Sequence, residues 1–327
     1  MDVESMSTLL PQAGKIDAIA RQGQSNDGLL PRRIWLDDEA GFSMAKVHAI
    51  RHNYQDHPLM QIDRLAQLAK SLMPQGQCRF IEPGTTQASA FNHKSKSSSG
   101  LGIEEIFHRI EEPGSWVALY NVETDPAYDQ FLREALGSIN DLIEKHEPGL
   151  FKVQGFIFVS APPSVTPFHM DRENNFWLQI RGRKTMNVWE PTDRQTVAAH
   201  DVEDFIVNRN LAGVQLRDGL LERSHEFDTG PGDGVYFPST SPHATRSSPD
   251  WVRPGNGVSV SIGIVFYTSV TRRHAYVHAI NRFLRRIGLQ PRSPGESPWL
   301  DRAKYPFGRA VVSLARVLRG YSSPTGF

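Results

Sequence analysis

From Asn175 onward the chain alternates: Phe176, Leu178 and Ile180 are apolar, and Trp177, Gln179 and Arg181 lie between them. That is the period of a half-buried strand. Gly182 interrupts the pattern, and Met186 and Val188 resume it on the parity of Lys184, which predicts a strand, a tight turn and a second strand. The stretch before them, from Ser164, reads as a polar entry loop. Further strands are predicted at Cys78–Ile81, Trp116–Tyr120, Val153–Ser160, Gly234–Phe237 and Val258–Tyr267. Ile62, Leu65, Leu68, Ala69 and Leu72 recur at helical spacing and stop before Pro74, and a short helix is predicted from Ile103 to Ile110. Asp125 followed by Pro126 suits an N-cap and first helical residue, opening a helix through Phe131, Leu132, Leu136, Ile139 and Ile143 that Pro148-Gly149 ends. Towards the end, Ala275, Ala279, Ile280, Phe283, Leu284 and Ile287 form an apolar stripe closed by Gly288. A last helix is predicted from Phe307 to Leu318, after a Pro-rich linker over 291–298. Residues 1–30 have no periodicity and predict a loose terminus. Residues 85–100 predict a flexible polar loop, and 192–228 an insertion with partial order.

Composition narrows the class. The chain has 327 residues, 39% hydrophobic and 22% charged, which is the range of a globular protein able to bury a full core. No run approaches the length of a membrane span. The opening Met1-Asp2-Val3-Glu4-Ser5 lacks the basic and apolar regions of a secretory signal. The single cysteine, Cys78, excludes an internal disulfide framework and a multi-cysteine zinc site, so a cytoplasmic location is expected. Net charge is zero but uneven: from Thr271 onward eleven Lys and Arg face only Glu296 and Asp301, leaving +9 there and −9 in the remainder.

The candidate chemistry sits ahead of the predicted hairpin. His169 and Asp171 are two apart, so on extended backbone their side chains share a face. With His243 as a second imidazole, two His and one carboxylate would occupy one face of an octahedron and leave three positions open, as in non-haem Fe(II) oxygenases. Lys184 falls on the inward parity of its strand, where an unpaired ammonium is costly. A buried cation beside an open metal site asks for an acidic co-substrate.

These residues carry a family likeness. Thr166-Pro167-x-His169-x-Asp171, Asn175-Phe176, Gln179-Ile180-x-Gly182-x-Lys184, and Pro238 five residues before His243 resemble the JmjC/cupin-like 2-oxoglutarate oxygenases. Within that group the pattern is similar to the branch containing the asparaginyl hydroxylase of hypoxia-inducible factor. The resemblance spans about residues 116–268. It implies that His169, Asp171 and His243 hold Fe(II), that Lys184 and Thr166 bind the distal carboxylate of 2-oxoglutarate, and that Tyr120 is a further co-substrate contact. It also implies O2 as oxidant and hydroxylation of an amino-acid side chain in a protein, peptide or small-molecule conjugate. N-methyl-lysine demethylation and a non-catalytic regulatory or scaffold role are the alternatives. Small residues over Ser259–Gly263 depart from relatives that often carry an Asn near the metal, which bears on substrate identity.

The expected fold is mainly β with flanking helices, around a double-stranded β-helix of the jelly-roll or cupin kind. The expected organisation is an N-terminal region over 1–115, the β-helix over 116–270 and a basic helical region over 271–327. Competing ligand sources are His225 with Asp228 and the pair His200-Asp201, neither on an alternating strand. Asn175 and Trp177 are candidates to face the cavity. Arg181 and Arg183 are expected in solvent, and Gly232 and Gly234 in a turn leading to the His243 strand. For the basic tail a homodimer through the C-terminal helices is the leading reading, ahead of a solvated face or a dock for an acidic partner. No nucleic acid is expected, because no stripe of base-reaching side chains is present.

Overall fold

The strand that begins the alternating pattern is buried along nearly its whole length, and the reason is the layering around it. In the computed structural model, which describes residues 31–80, 85–91, 102–251 and 257–319, Phe176, Leu178 and Ile180 point to one core and Trp177 to another. The expected half-buried strand is therefore covered on both faces. One face packs on helices and the other looks across to a second sheet.

In chain order the strands are β1 (Ile34–Trp35), β2 (His48–His52), β3 (Cys78–Phe80), β4 (Trp116–Tyr120), β5 (Phe151–Ser160), β6 (Val165–Met170), β7 (Asn174–Arg181), β8 (Lys184–Val188), β9 (His225–Thr229), β10 (Asp233–Phe237), β11 (Pro242–Arg246) and β12 (Ser259–Tyr267). The α-helices are α1 (Ile62–Leu72), α2 (Ile103–His108), α3 (Pro126–Gly137), α4 (Asn140–His146), α5 (Ala199–Asn208), α6 (Ser269–Arg286) and α7 (Pro298–Arg319). Eight strands form one sheet in the order β1-β2-β10-β7-β12-β5-β4-β3, and four form the other in the order β6-β11-β8-β9. Neighbouring strands in both run antiparallel. The two facing sheets, flanked by helices, are the expected cupin-type core, built as a sandwich of two separate sheets. The described residues from 32 onward cluster as one compact unit.

Three apolar clusters hold the layers. Leu65 and Leu68 of α1 and Phe131 and Leu132 of α3 cover the outer face of the large sheet, against Ile157, Phe176, Leu178 and Ile264. Trp177, Met186, Val188, Val235 and Phe237 fill the space between sheets. Phe168, Met170, Trp189 and Ala244 on the outer face of the small sheet pack on Val202, Phe205 and Ile206 of α5 and Ala275 of α6. Each fully buried side chain of this size contributes about 1.5–3 kcal/mol relative to solvent exposure.

Several expectations are corrected by this packing. The entry loop is largely strand β6, buried because its outer face meets α5. Residues 192–228, expected as a partly ordered insertion, contain α5 and β9 and supply Val197, Phe205 and Val214 to the core. The helix opened by Pro126, with Asp125 accepting from the Ala127 N–H, divides at Ser138–Ile139 into α3 and α4. The last helix starts at Pro298, before the expected Phe307, and runs through Pro306. Pro306 is exposed, and the helix continues through it with one backbone donor fewer. Gly232 and Gly234 lead into β10, and a separate turn over 238–241 precedes the His243 strand. The predicted N-terminal looseness and most of the 85–100 loop lie outside the described residues. No helix among those described is long and apolar enough to cross a membrane.

The contact between α6 and α7 depends on Gly308. A Cβ there would stand 2.0 Å from the Tyr276 carbonyl oxygen, so the helices touch backbone to backbone. Gly308→Val is expected to lower the melting temperature and part α7 from α6. Thermal unfolding and proteolysis within 298–319 check this, and an unchanged melting temperature would refute the close crossing.

Candidate active site

The metal-type residues come from facing positions of two paired strands. His169 lies in β6 and His243 in β11, and the antiparallel register places them directly opposite one another. Asp171 follows β6 by one residue. One ligand-type atom from each of His169, Asp171 and His243 falls within 4.8 Å of the others. His243 Nε2 stands 3.6 Å from Asp171 Oδ2, and the two imidazole centroids are 4.1 Å apart.

The tautomers suit a metal. His169 Nδ1 lies 2.7 Å from the Pro167 carbonyl and His243 Nδ1 3.1 Å from that of Ser241. A carbonyl oxygen only accepts, so each Nδ1 carries the proton and each Nε2 is left as the basic nitrogen. Backbone carbonyls orienting metal-binding imidazoles in this way are a general device. Both imidazoles are buried, while Asp171 keeps partial exposure. The donor set of two neutral imidazoles and one carboxylate fits Fe(II).

Lys184, Thr166 and Tyr120 line the same cavity as the triad, together with Asn175, Trp177 and Ser261. Lys184 is only 2% exposed, and burial pulls its ammonium from 10.5 down to about 8, with no charged group among the described residues compensating it. Gly182, at φ +70, makes the turn that delivers it. A side chain at 182 would collide with the backbone of Val258 and Ser259 at 2.9 Å. Tyr120 is pushed up to about 12 by burial, against the opposing charge of Arg79. Two cavity atoms, Asn175 Oδ1 and Ser261 Oγ, are buried with no hydrogen-bond partner among the described residues. Gly263 leaves room for the Asn175 amide, since a Cβ there would sit 3.1 Å from both of its polar atoms.

The competing ligand sources fall elsewhere. His225 begins β9, contrary to its expected place off the strands, and meets Glu190 at 3.0 Å, while Asp228 accepts from the Thr185 hydroxyl. His200 pairs with Asp201 on α5. Arg183 lies over the Trp251 ring at 4.9 Å.

Several cavity residues carry no clear sequence signal. The Phe91 ring stacks on His169 with centroids 3.9 Å apart and planes 2° from parallel. Its segment is fixed where the Phe168 N–H donates to the Gln87 carbonyl. Arg79 lies over the Tyr120 ring at 4.1 Å and donates to its hydroxyl at 3.1 Å. Phe156, Phe158, Met186, Phe237 and Thr245 complete the lining. Thr245 was open to inference, being two residues after His243 on one strand. Phe91 was not, because its position depends on how an irregular segment docks.

Two facing antiparallel sheets gather two imidazoles, a carboxylate and a buried lysine around one cavity, a cupin-type architecture with a candidate metal site. In agreement, residues 130–271 match the family model described as the JmjC domain. The match is to the domain as a whole and does not single out the asparaginyl-hydroxylase branch. Among solved structures, the chain is similar to Escherichia coli ycfD, with 15% identity over 86% of this chain and 68% of that one and a TM-score of 0.47. It is also similar to YcfD, a ribosomal oxygenase from Escherichia coli, in complex with cobalt and 2-oxoglutarate. There the identity is 16% over 85% of this chain and 67% of that one, with a TM-score of 0.42.

Proposed function

We propose that this protein is an Fe(II)- and 2-oxoglutarate-dependent oxygenase that hydroxylates an amino-acid side chain of a protein, peptide or small-molecule conjugate. The observation that carries the reading is the shared cavity, with His169, Asp171 and His243 converging beside the buried ammonium of Lys184. In this reading His169, Asp171 and His243 would hold Fe(II), and the metal would supply the oxidative chemistry that couples O2 and 2-oxoglutarate to oxidation of a substrate C–H. Lys184 grips the distal carboxylate of the co-substrate, with Thr166 beside it and Tyr120 as a further contact. An anion there regains for the ammonium what burial costs it. Phe91, Phe158, Trp177 and Phe237 keep water from the metal and leave an apolar approach for the C–H to be oxidised. The chemistry is assigned to residues 116–270, supported by 1–115 and by the basic region 271–327. That basic region would serve a homodimer, and the compartment would be cytoplasmic.

The test is direct. Protein loaded anaerobically with Fe(II) and given 2-oxoglutarate and O2 is expected to release succinate, followed by mass spectrometry. Absence of succinate across candidate peptides and conjugates would favour the scaffold alternative. Formaldehyde release from N-methyl-lysine peptides would instead favour demethylation. Because Lys184 titrates near 8, the 2-oxoglutarate KM is expected to stay flat below that pH and to rise about tenfold per unit above it. A KM unchanged to pH 9.5 would remove Lys184 from the co-substrate site.

A further inference from the structure

Two connections far apart in sequence adjoin the triad, the turn after β6, which holds Asp171, and the turn over 238–241, which precedes β11 and His243. Three hydrogen bonds tie them together. The Thr240 N–H donates to the Asp171 carbonyl at 2.8 Å, the Ser239 hydroxyl to the Arg172 carbonyl at 2.8 Å, and the Ser239 N–H to Asn174 Oδ1 at 2.9 Å. Thr240 holds a positive φ of 66°, so this turn sits in a conformation that its own residues do not prefer. The tie to Asn174 helps to hold it.

Asn174 is 1% exposed and uses both ends of its amide. Its Nδ2 donates to Glu147 Oε2 at 3.4 Å, and the same oxygen accepts from the hydroxyl of Thr268 at 2.6 Å. Thr268 is the N-cap of α6, in a capping box with Thr271. One buried amide thus connects the turn before His243, the turn after His169, the end of α4 and the start of α6.

We propose that Asn174 is a positioning residue for the metal site, setting where the His243 turn stands relative to the His169 and Asp171 turn. The proposal rests on the metal-site reading above. A mobile turn would leave three donors within reach of a metal but no longer held on one face of it. Losses of this kind in groups behind the ligands typically cost 10–100-fold in metal affinity. Asn174→Ala removes the acceptor for Ser239 and the donor to Glu147, and leaves the ligands themselves untouched.

The experiment titrates metal-free protein with Co(II), reading the dissociation constant by calorimetry and the ligand field by visible absorption, with melting temperature measured alongside. Asn174→Ala is expected to raise the Co(II) Kd about tenfold or more and to alter the absorption band. The pair Asn174→Asp with Glu147→Gln keeps an acceptor for Ser239 and restores a donor–acceptor match between the two side chains, and is expected to recover most of the affinity. A folded Asn174→Ala protein with unchanged Kd and band would overturn the proposal, as would a lowered melting temperature with no change in either. Should Asn174→Ala fail to fold, Asn174→Leu, which fills the space while still removing both hydrogen bonds, takes its place, and an unchanged Kd there overturns it equally. Wild-type protein that fails to bind Co(II) would overturn the metal-site reading itself. Wild-type binding with indifferent variants overturns only the role of Asn174.

Discussion

Asp171→Ala is expected to abolish Fe(II)-dependent succinate formation while leaving the fold intact. A bound metal contributes several kcal/mol to catalysis, and roughly 4 kcal/mol corresponds to about a thousandfold in rate. The structural cost is small because Asp171 lies just beyond β6, and its backbone carbonyl, not its side chain, accepts the hydrogen bond from the neighbouring turn. His169→Ala should be equally inactive but less innocuous, since it also removes the ring on which Phe91 stacks. An aromatic pair of that kind adds about 0.5–1.5 kcal/mol beyond its buried area. Circular dichroism and melting temperature separate the two effects. Succinate formation by either variant at more than about a hundredth of the wild-type rate would exclude these residues from the metal centre.

The His169 and Asp171 part of the metal-type set was legible because its signals are local, whereas His243 came in only through the wider motif. His169 and Asp171 share a face through strand period alone, and Lys184 declared itself by falling on an apolar parity. Local signals also fixed α1 at Ile62–Leu72 and β4 at Trp116–Tyr120. The errors arise where tertiary contact overrides the local pattern. Strand β7 reads as half-buried because Gln179 and Arg181 alternate with apolar residues. Yet Gln179 is fully buried, donating to the Arg181 carbonyl and the Ser259 hydroxyl. The charged stretch that contains α5 reads as poorly ordered, but its acids are spoken for. Glu203 and Asp204 meet Arg285 and Arg282 of α6 at 2.9 Å and 2.6 Å. Part of the basic surplus after Thr271 is therefore internal, countered by acids some 80 residues earlier, which composition by halves does not reveal. Asn174 and Phe91 belong to the same class, because each acts through partners that only the folded chain brings near.

Lys184→Met is expected to stabilise the protein and to end its use of 2-oxoglutarate, two effects of opposite sign from one substitution. Burial draws the Lys184 ammonium from 10.5 to about 8. At about 1.36 kcal/mol per pH unit, the charged form therefore costs the metal-free, ligand-free fold ~3 kcal/mol near pH 7. The sign follows from proton binding. Between pH 8 and 10.5 the unfolded chain holds the proton and the folded chain has released it, so stability rises with pH across that window, and the penalty is complete below it. A methionine of similar length carries no charge to desolvate and fills an irregular apolar space without branching. Denaturant unfolding at pH 7 should show the variant more stable by about 1–3 kcal/mol once imperfect packing is allowed for, with the difference shrinking toward pH 10.5. Its 2-oxoglutarate KM should rise at least a hundredfold, because a charge-assisted contact in a buried site is lost. A variant less stable than wild type, with an ordinary KM, would mean that the ammonium is already satisfied inside the fold and has no anion to meet. Carrying an uncompensated charge is the kind of local cost a protein bears where a ligand is meant to complete the structure, and at Lys184 stability and binding can be measured against each other.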